Sequence, residues 1–193
     1  MSSYSGTIPE LYYSFSAAGT ALSTFTTEAS LMGGYPIPQI PATFFNKLGN
    51  LSSSMKVKAQ LNVSTTATPT FTVSVRLLSS ATSWSAGGIL LGSTSAVTAA
   101  SAVTNAWASL DLDIILRSIA AGAATSTLFT SGTLDGSAFP TDASMPANNV
   151  SAVSSTLDNT GATQYFLWLS AACGTSNASN AISLQALKVY LEN

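Results

Sequence analysis

Between residues 57 and 63 the chain alternates without a break: Val57, Ala59, Leu61 and Val63 are apolar, and Lys58, Gln60 and Asn62 between them are polar. Successive side chains of a strand point to opposite faces, so this period of two predicts a half-buried β-strand. After the turn-like STTATP comes a second such run, with Phe71, Val73, Val75 and Leu77 on one face and Thr70, Thr72, Ser74 and Arg76 on the other. Their proximity predicts a hairpin. GGILLGS at 87–93 reads as a short strand or a sheet edge. The longest alternation runs from Trp107 to about Ser118, with Ala108, Leu110, Leu112, Ile114 and Leu116 set against Ser109, Asp111, Asp113, Ile115 and Arg117. A helix would scatter those leucines around its axis. TSTLFTSGTL at 125–134, QYFLWLSA at 164–171 and the closing AISLQALKVYLEN complete the set, the second apolar enough to bury both faces near its centre. Segments 78–105 and 135–160, rich in Ser, Ala, Gly, Pro and Asn, read as long loops.

Some seven or eight short strands with polar turns and little helical periodicity predict an all-β antiparallel sandwich or barrel. Residues 1–45 break the pattern. They carry Tyr12, Tyr13, Phe15 and Phe25 without sustained alternation, and Pro36, Pro38 and Pro41 impose an extended path. The expected organisation is an extended N-terminal arm and proline-rich lead-in over 1–45 and a sandwich over 46–193, with the arm's aromatics needing a surface to lie on.

Composition narrows the role. Only 7% of the 193 residues are charged, while 46% are hydrophobic and roughly a quarter are Ser or Thr, so the chain should fold and its surface should be built from hydroxyls and amides. Six Lys and Arg against eight Asp and Glu, a net charge of −2, supply too little phosphate neutralisation for direct nucleic-acid binding. So few charges also protect poorly against association, a first hint of assembly. The N-terminus lacks the basic and apolar regions of a signal peptide, and no apolar run reaches the roughly 18 residues of a membrane helix. Cys173 stands alone, so no internal disulfide is expected, and synthesis in a reducing cytoplasm fits.

Chemistry is narrowed further by the absence of histidine, which removes Ser-His-Asp and Cys-His catalysis and the commonest metal ligand together. Asp111 and Asp113 share one strand face about 7 Å apart, a spacing that could seat calcium or an acid–base pair. The plainer reading is a polar face opposite a leucine stripe. Asp135 and Asp158 precede turn residues and read as turn caps. Four Asn-x-Ser sequons, at Asn50, Asn62, Asn149 and Asn177, are expected by chance in such a chain. No catalytic residue, metal or cofactor is assigned, and no enzymatic activity is expected. Trp84, Trp107, Trp168 and Tyr165 could line a sugar-binding face, although tryptophans in strands more commonly fill cores or interfaces.

The order LMGGYPIPQIPATFFNKLGN, MKVKAQLNVSTTATPTFTVSVRLL, ILLGST, AWASLDLDIILRSI, STLFTSGTL and DNTGATQYFLWLSAACGTSNASNAISLQALKVYLEN resembles the small jelly-roll virion proteins of tailed bacteriophages over residues 31–193. The resemblance implies a jelly-roll-like sandwich and a place on the virion, as a capsid decoration or cement protein made in the host cytoplasm. Its implied partners are the major capsid protein and further copies of itself in a homotrimer, with no direct nucleic-acid or membrane contact. On that reading Tyr12, Tyr13, Phe15, Phe25, Tyr35, Pro36, Pro38, Pro41, Phe44 and Phe45 are the expected contact residues. The prolines lead the arm onto a neighbouring subunit or the shell, and Phe44 and Phe45 anchor its junction. A tail or fibre module that binds a host glycan and a cell-wall hydrolase are the alternatives.

Overall fold

The computed structural model describes residues 10–41, 44, 54–119, 126–140, 143–145 and 162–192. Two antiparallel sheets pack face to face in a jelly-roll-like β-sandwich. The first contains β1 (Glu10–Ser16), β2 (Leu22–Ser23), β5 (Ser54–Ser64), β9 (Ala106–Ile119), β10 (Ser126–Asp135), β11 (Ala143–Met145) and β13 (Ala181–Glu192). Its order is β1-β13-β5-β9-β10-β11, with β2 also on β13. The second contains β3 (Ala29–Ser30), β4 (Gln39–Ile40), β6 (Thr70–Leu78), β7 (Ile89–Ser93), β8 (Val97–Thr98) and β12 (Tyr165–Cys173). Its order is β3-β12-β6-β7, with β4 on β12 and β8 on β6.

Alternation in the sequence becomes burial in the sandwich. Met55, Val57, Ala59, Leu61 and Val63 of β5 point inward, as do Ala108, Leu110, Leu112 and Ile114 of β9 and Leu184, Leu187 and Val189 of β13. Opposite them lie Phe71, Val73, Val75 and Leu77 of β6 and Leu167, Leu169 and Ala171 of β12. Each fully buried Leu, Val or Phe contributes about 1.5–3 kcal/mol by leaving water, which dominates what holds the two sheets together. β12 buries side chains on both faces at its centre, because Glu28 of the N-terminal segment and Trp84 of the loop after β6 cover Ser170 and Trp168 on its outer side.

The expected hairpin does not form. β5 pairs with β13 and β9, whereas β6 pairs with β12, β7 and β8, so the turn at 65–69 carries the chain from one sheet to the other. Alternation says that a strand has one wet and one dry face. It does not say which strand lies alongside, and two runs that both bury a face can meet across a core as readily as along an edge.

The N-terminal segment is extended, but its described part does not lead away from the body. β1 and β2 pair with β13, and β3 and β4 pair with β12. Residues 10–41 thus form a strap that crosses from the first sheet to the second and lends each an edge. Leu31, Met32, Tyr35 and Ile40 are buried in the common core. The gain is physical: bare edges of β13 and β12 would expose rows of unpaired N–H and C=O groups. At the strap's corner Tyr35 N–H donates to Met32 O at 2.9 Å, a turn in which Gly34 has φ +83°, a conformation that suits glycine.

Candidate functional site: an open sheet face and a serine-lined cavity

The residues expected to touch a capsid find partners inside this chain. Tyr12 O–H donates to Gln39 O at 2.5 Å and Tyr13 O–H to Pro36 O at 2.6 Å. Tyr35 O–H donates to Ala17 O, and the Phe15 ring meets the Tyr35 ring edge-on at 4.7 Å. Burial, with the neighbouring Tyr35, pushes the Tyr13 phenol up to about 12. Phe25 lies 6.5 Å from Phe71, and Phe44 is 4% exposed in the core. Phe45 lies outside the described residues, as do Asn50, Asn149 and Asp158. The prolines serve as acceptors: Pro38 O takes the Leu167 N–H at 2.9 Å and Pro41 O the Phe44 N–H at 2.8 Å. A residue without an N–H suits an edge where only its carbonyl faces a partner.

A second lock holds the strap to the outer side of the second sheet. Arg76 of β6 makes a two-point pair with Glu28, Nε to Oε1 at 2.7 Å and Nη2 to Oε2 at 2.8 Å. Ser170, fully buried on β12, donates to the same Glu28 Oε1 at 2.6 Å. Burial pushes the Glu28 carboxyl up, but the hydrogen bonds from Arg76 and Ser170 and the Arg76 charge outweigh it, leaving it below the usual glutamate value.

With both sheets edged by the strap, the outer face of the first sheet is the broad surface over which no described segment lies. Its centre is a cross-strand ion-pair lattice. Register places Lys56 opposite Asp113 and Lys58 opposite Asp111, and the ammonium groups reach the carboxylates at 3.1 Å and 2.7 Å. Asp113, hydrogen-bonded to Lys56, raises that ammonium above the ordinary lysine value. Asp111 and Asp113 therefore share a face, as their spacing predicts, with a lysine on each.

Apolar side chains flank the lattice. Leu11 is 50% exposed on the row it shares with Tyr190 and Lys56, Ile115 38% exposed beside Phe129, and Trp107 53% exposed at the other end of β9. From Trp107 to Ile115 is about 27 Å along the strand, and β1 to β10 spans about 19 Å across it. The patch thus covers about 500 Å2 of sheet. Alternation could have flagged Ile115 and Trp107, because both stand on the polar side of an otherwise regular strand.

A second feature lies at the β7 end of the second sheet. The loop after β6 encloses an open cavity of about 530 Å3, bordered by Leu77, Ser80, Ser83, Gly88, Ile89 and Tyr165 among others. The Trp84 and Trp168 rings stand 5.8 Å apart beside it, and Trp168 Nε1–H donates to Ser80 O at 3.0 Å. Of the four aromatics considered as a sugar-binding face, Tyr165 borders the cavity and Trp84 and Trp168 pack on each other. Trp107 is on the other sheet. Among the described residues no group of three or more His, Cys, Asp or Glu is placed to hold a metal. Cys173 is buried, its thiol donating to Thr175 O at 3.2 Å.

No protein-family profile matches the chain, and no curated protein matches it in sequence. The solved structures to which it is distantly similar include one of a virus and one of a phage module. One, the structure of infectious bursal disease virus Gx strain, is 9% identical, with a TM-score of 0.34 over 95% of this chain and 32% of that one. The other, the CBM2 module of Lactobacillus casei BL23 phage J-1 evolved Dit, is 12% identical, with a TM-score of 0.31 over 92% of this chain and 76% of that module. This chain spans about a third of the viral chain's length. At such distances the fold assignment rests on the strand order and register given above.

Proposed function

We propose that the chain is a structural protein of a phage particle, and within that class a decoration or cement protein on the outside of the head, binding major capsid subunits and other copies of itself as a homotrimer. The role needs no catalysis. The observation that carries the reading is the open face of the first sheet, where Leu11, Ile115 and Trp107 surround paired lysines and aspartates. The sequence resemblance to jelly-roll virion proteins points the same way.

Magnitude decides how such a surface would work. About 500 Å2 per partner lies below the roughly 800 Å2 of a standard stable interface, so one contact alone would be weak. Repeated across a shell, or linked through an oligomer, weak contacts multiply by avidity. The central ion pairs are half-exposed and worth little on their own, so they serve register and selectivity while the apolar flanks supply attraction. A strap locked to its own body leaves a rigid plate, which costs little entropy to dock.

Copy number on purified particles tests this reading. Ile115→Lys places an unpaired charge in the apolar flank, and the variant is expected to occupy particles at less than about a tenth of the wild-type level with its melting temperature unchanged. Wild-type occupancy by Ile115→Lys and Leu11→Ser together would overturn the docking face.

A further inference from the structure

We propose that the cavity bounded by the loop after β6 is a binding site for a neutral saccharide. The site is separate from the open sheet face, and the inference stands whether or not that face docks to a shell.

The loop's order is the first observation. Residues 79–88 read SSATSWSAGG, a composition of small and glycine residues that is costly to hold in one shape. Five contacts hold it. Trp168 Nε1–H donates to Ser80 O at 3.0 Å, the Trp84 ring packs on that same indole at 5.8 Å, and Arg76 Nη1–H donates to Gly88 O at 3.0 Å. Ser80 Oγ accepts the N–H groups of Thr82 and Ser83 at 3.2 Å and 3.0 Å. The loop joins β6 to its antiparallel neighbour β7, and the second sheet commits a tryptophan and an arginine to holding it in one shape, the pre-formed geometry of a ligand site.

The lining chemistry supplies the ligand class. Hydroxyls come from Ser79, Ser80, Ser83, Ser85 and Thr163, and the apolar wall from Leu77, Ile89 and Tyr165. Among the described residues no charged side chain borders the cavity, and the nearby guanidinium of Arg76 is engaged by Glu28 and Gly88. The described lining therefore offers an anion no free cation. Because Ser80 Oγ already accepts two N–H groups, its proton is left to donate. A pyranose matches this environment, with hydroxyls around its rim and C–H groups on its faces. At about 530 Å3 the cavity falls within the usual size range of small-ligand sites.

The test is proton–nitrogen correlation NMR of the full chain, titrated separately with D-glucose, D-galactose, N-acetyl-D-glucosamine and inorganic phosphate. The expected result is saturable shifts, with millimolar affinity for at least one sugar, at the amides of residues 79–88 and the indoles of Trp84 and Trp168, and none with phosphate. Ser83→Trp, which plugs the cavity but keeps the backbone N–H that Ser80 holds, should weaken that binding at least about tenfold. Should it fail to fold, Ser79→Leu serves the same purpose. Absence of saturable loop shifts with all three sugars overturns the proposal. So do shifts centred on Trp107, equal response to phosphate, or undiminished binding by the plugged variant. Because no particle enters this experiment, its failure leaves the sheet-face reading untouched.

Discussion

Glu28 sits in TTEASL, a stretch with no periodicity to mark it, yet its carboxylate joins three elements through Arg76 and Ser170. Because its folded pKa lies below the ordinary 4.5, the group contributes stability that is fully present above that ordinary value and lost as pH falls through the lower folded one. The expected outcome is a melting temperature that drops on acidification below about pH 4.5, with a shallower drop in Glu28→Gln. That variant leaves Arg76 half-paired and should cost about 1–3 kcal/mol at neutral pH, measured by urea denaturation. On the alkaline side the sign reverses. Tyr13, raised to about 12, favours the folded state below pH 10, and its contribution is lost as pH rises through the folded value. Burial raises the Tyr35 phenol as well, so ultraviolet titration should find both tyrosines ionising late, and Tyr13→Phe should remove one of them. None of these pairings was legible in the sequence, since contacts across dozens of residues leave no local spacing to read.

At the scale of elements, the long strands were legible because a sandwich buries one face of each, and burial writes itself as alternation. Partner choice was not. β5 and β6 look like a hairpin in sequence, but they belong to different sheets. The strap was missed for a related reason: its pairings are two residues long at β2, β3 and β4, too short for any period to show. Its prolines and aromatics mark a stiff segment that needs a surface, and in residues 10–41 that surface is this chain's own body. The consequence is measurable. Leu31 is fully buried, and its N–H donates to Leu169 O at 2.9 Å. Leu31→Ala should therefore destabilise the whole domain by about 2–5 kcal/mol in denaturant unfolding. A residue on a detached arm would change stability by less than about 0.5 kcal/mol.

For the whole molecule, scarcity of charge was the plainest sign in the sequence, and the structure shows where the few charges go. Lys56, Lys58, Asp111 and Asp113 pair on one face, and Arg76 and Glu28 pair beneath the strap. Lys188 stands exposed on the first sheet opposite Lys58, and the outer face of that sheet, over which no described segment lies, has apolar flanks that fit a docking role. Half-exposed ion pairs are screened by salt, so moderate salt should change the chain's stability little. Removing the apolar flanks should matter most for attachment to particles.

The most direct measurement is immunogold labelling of intact particles with an antibody raised against the folded domain. Gold spread over the head surface is the result expected of a decoration or cement protein. Gold confined to the tail, or absent from the particle, would contradict it.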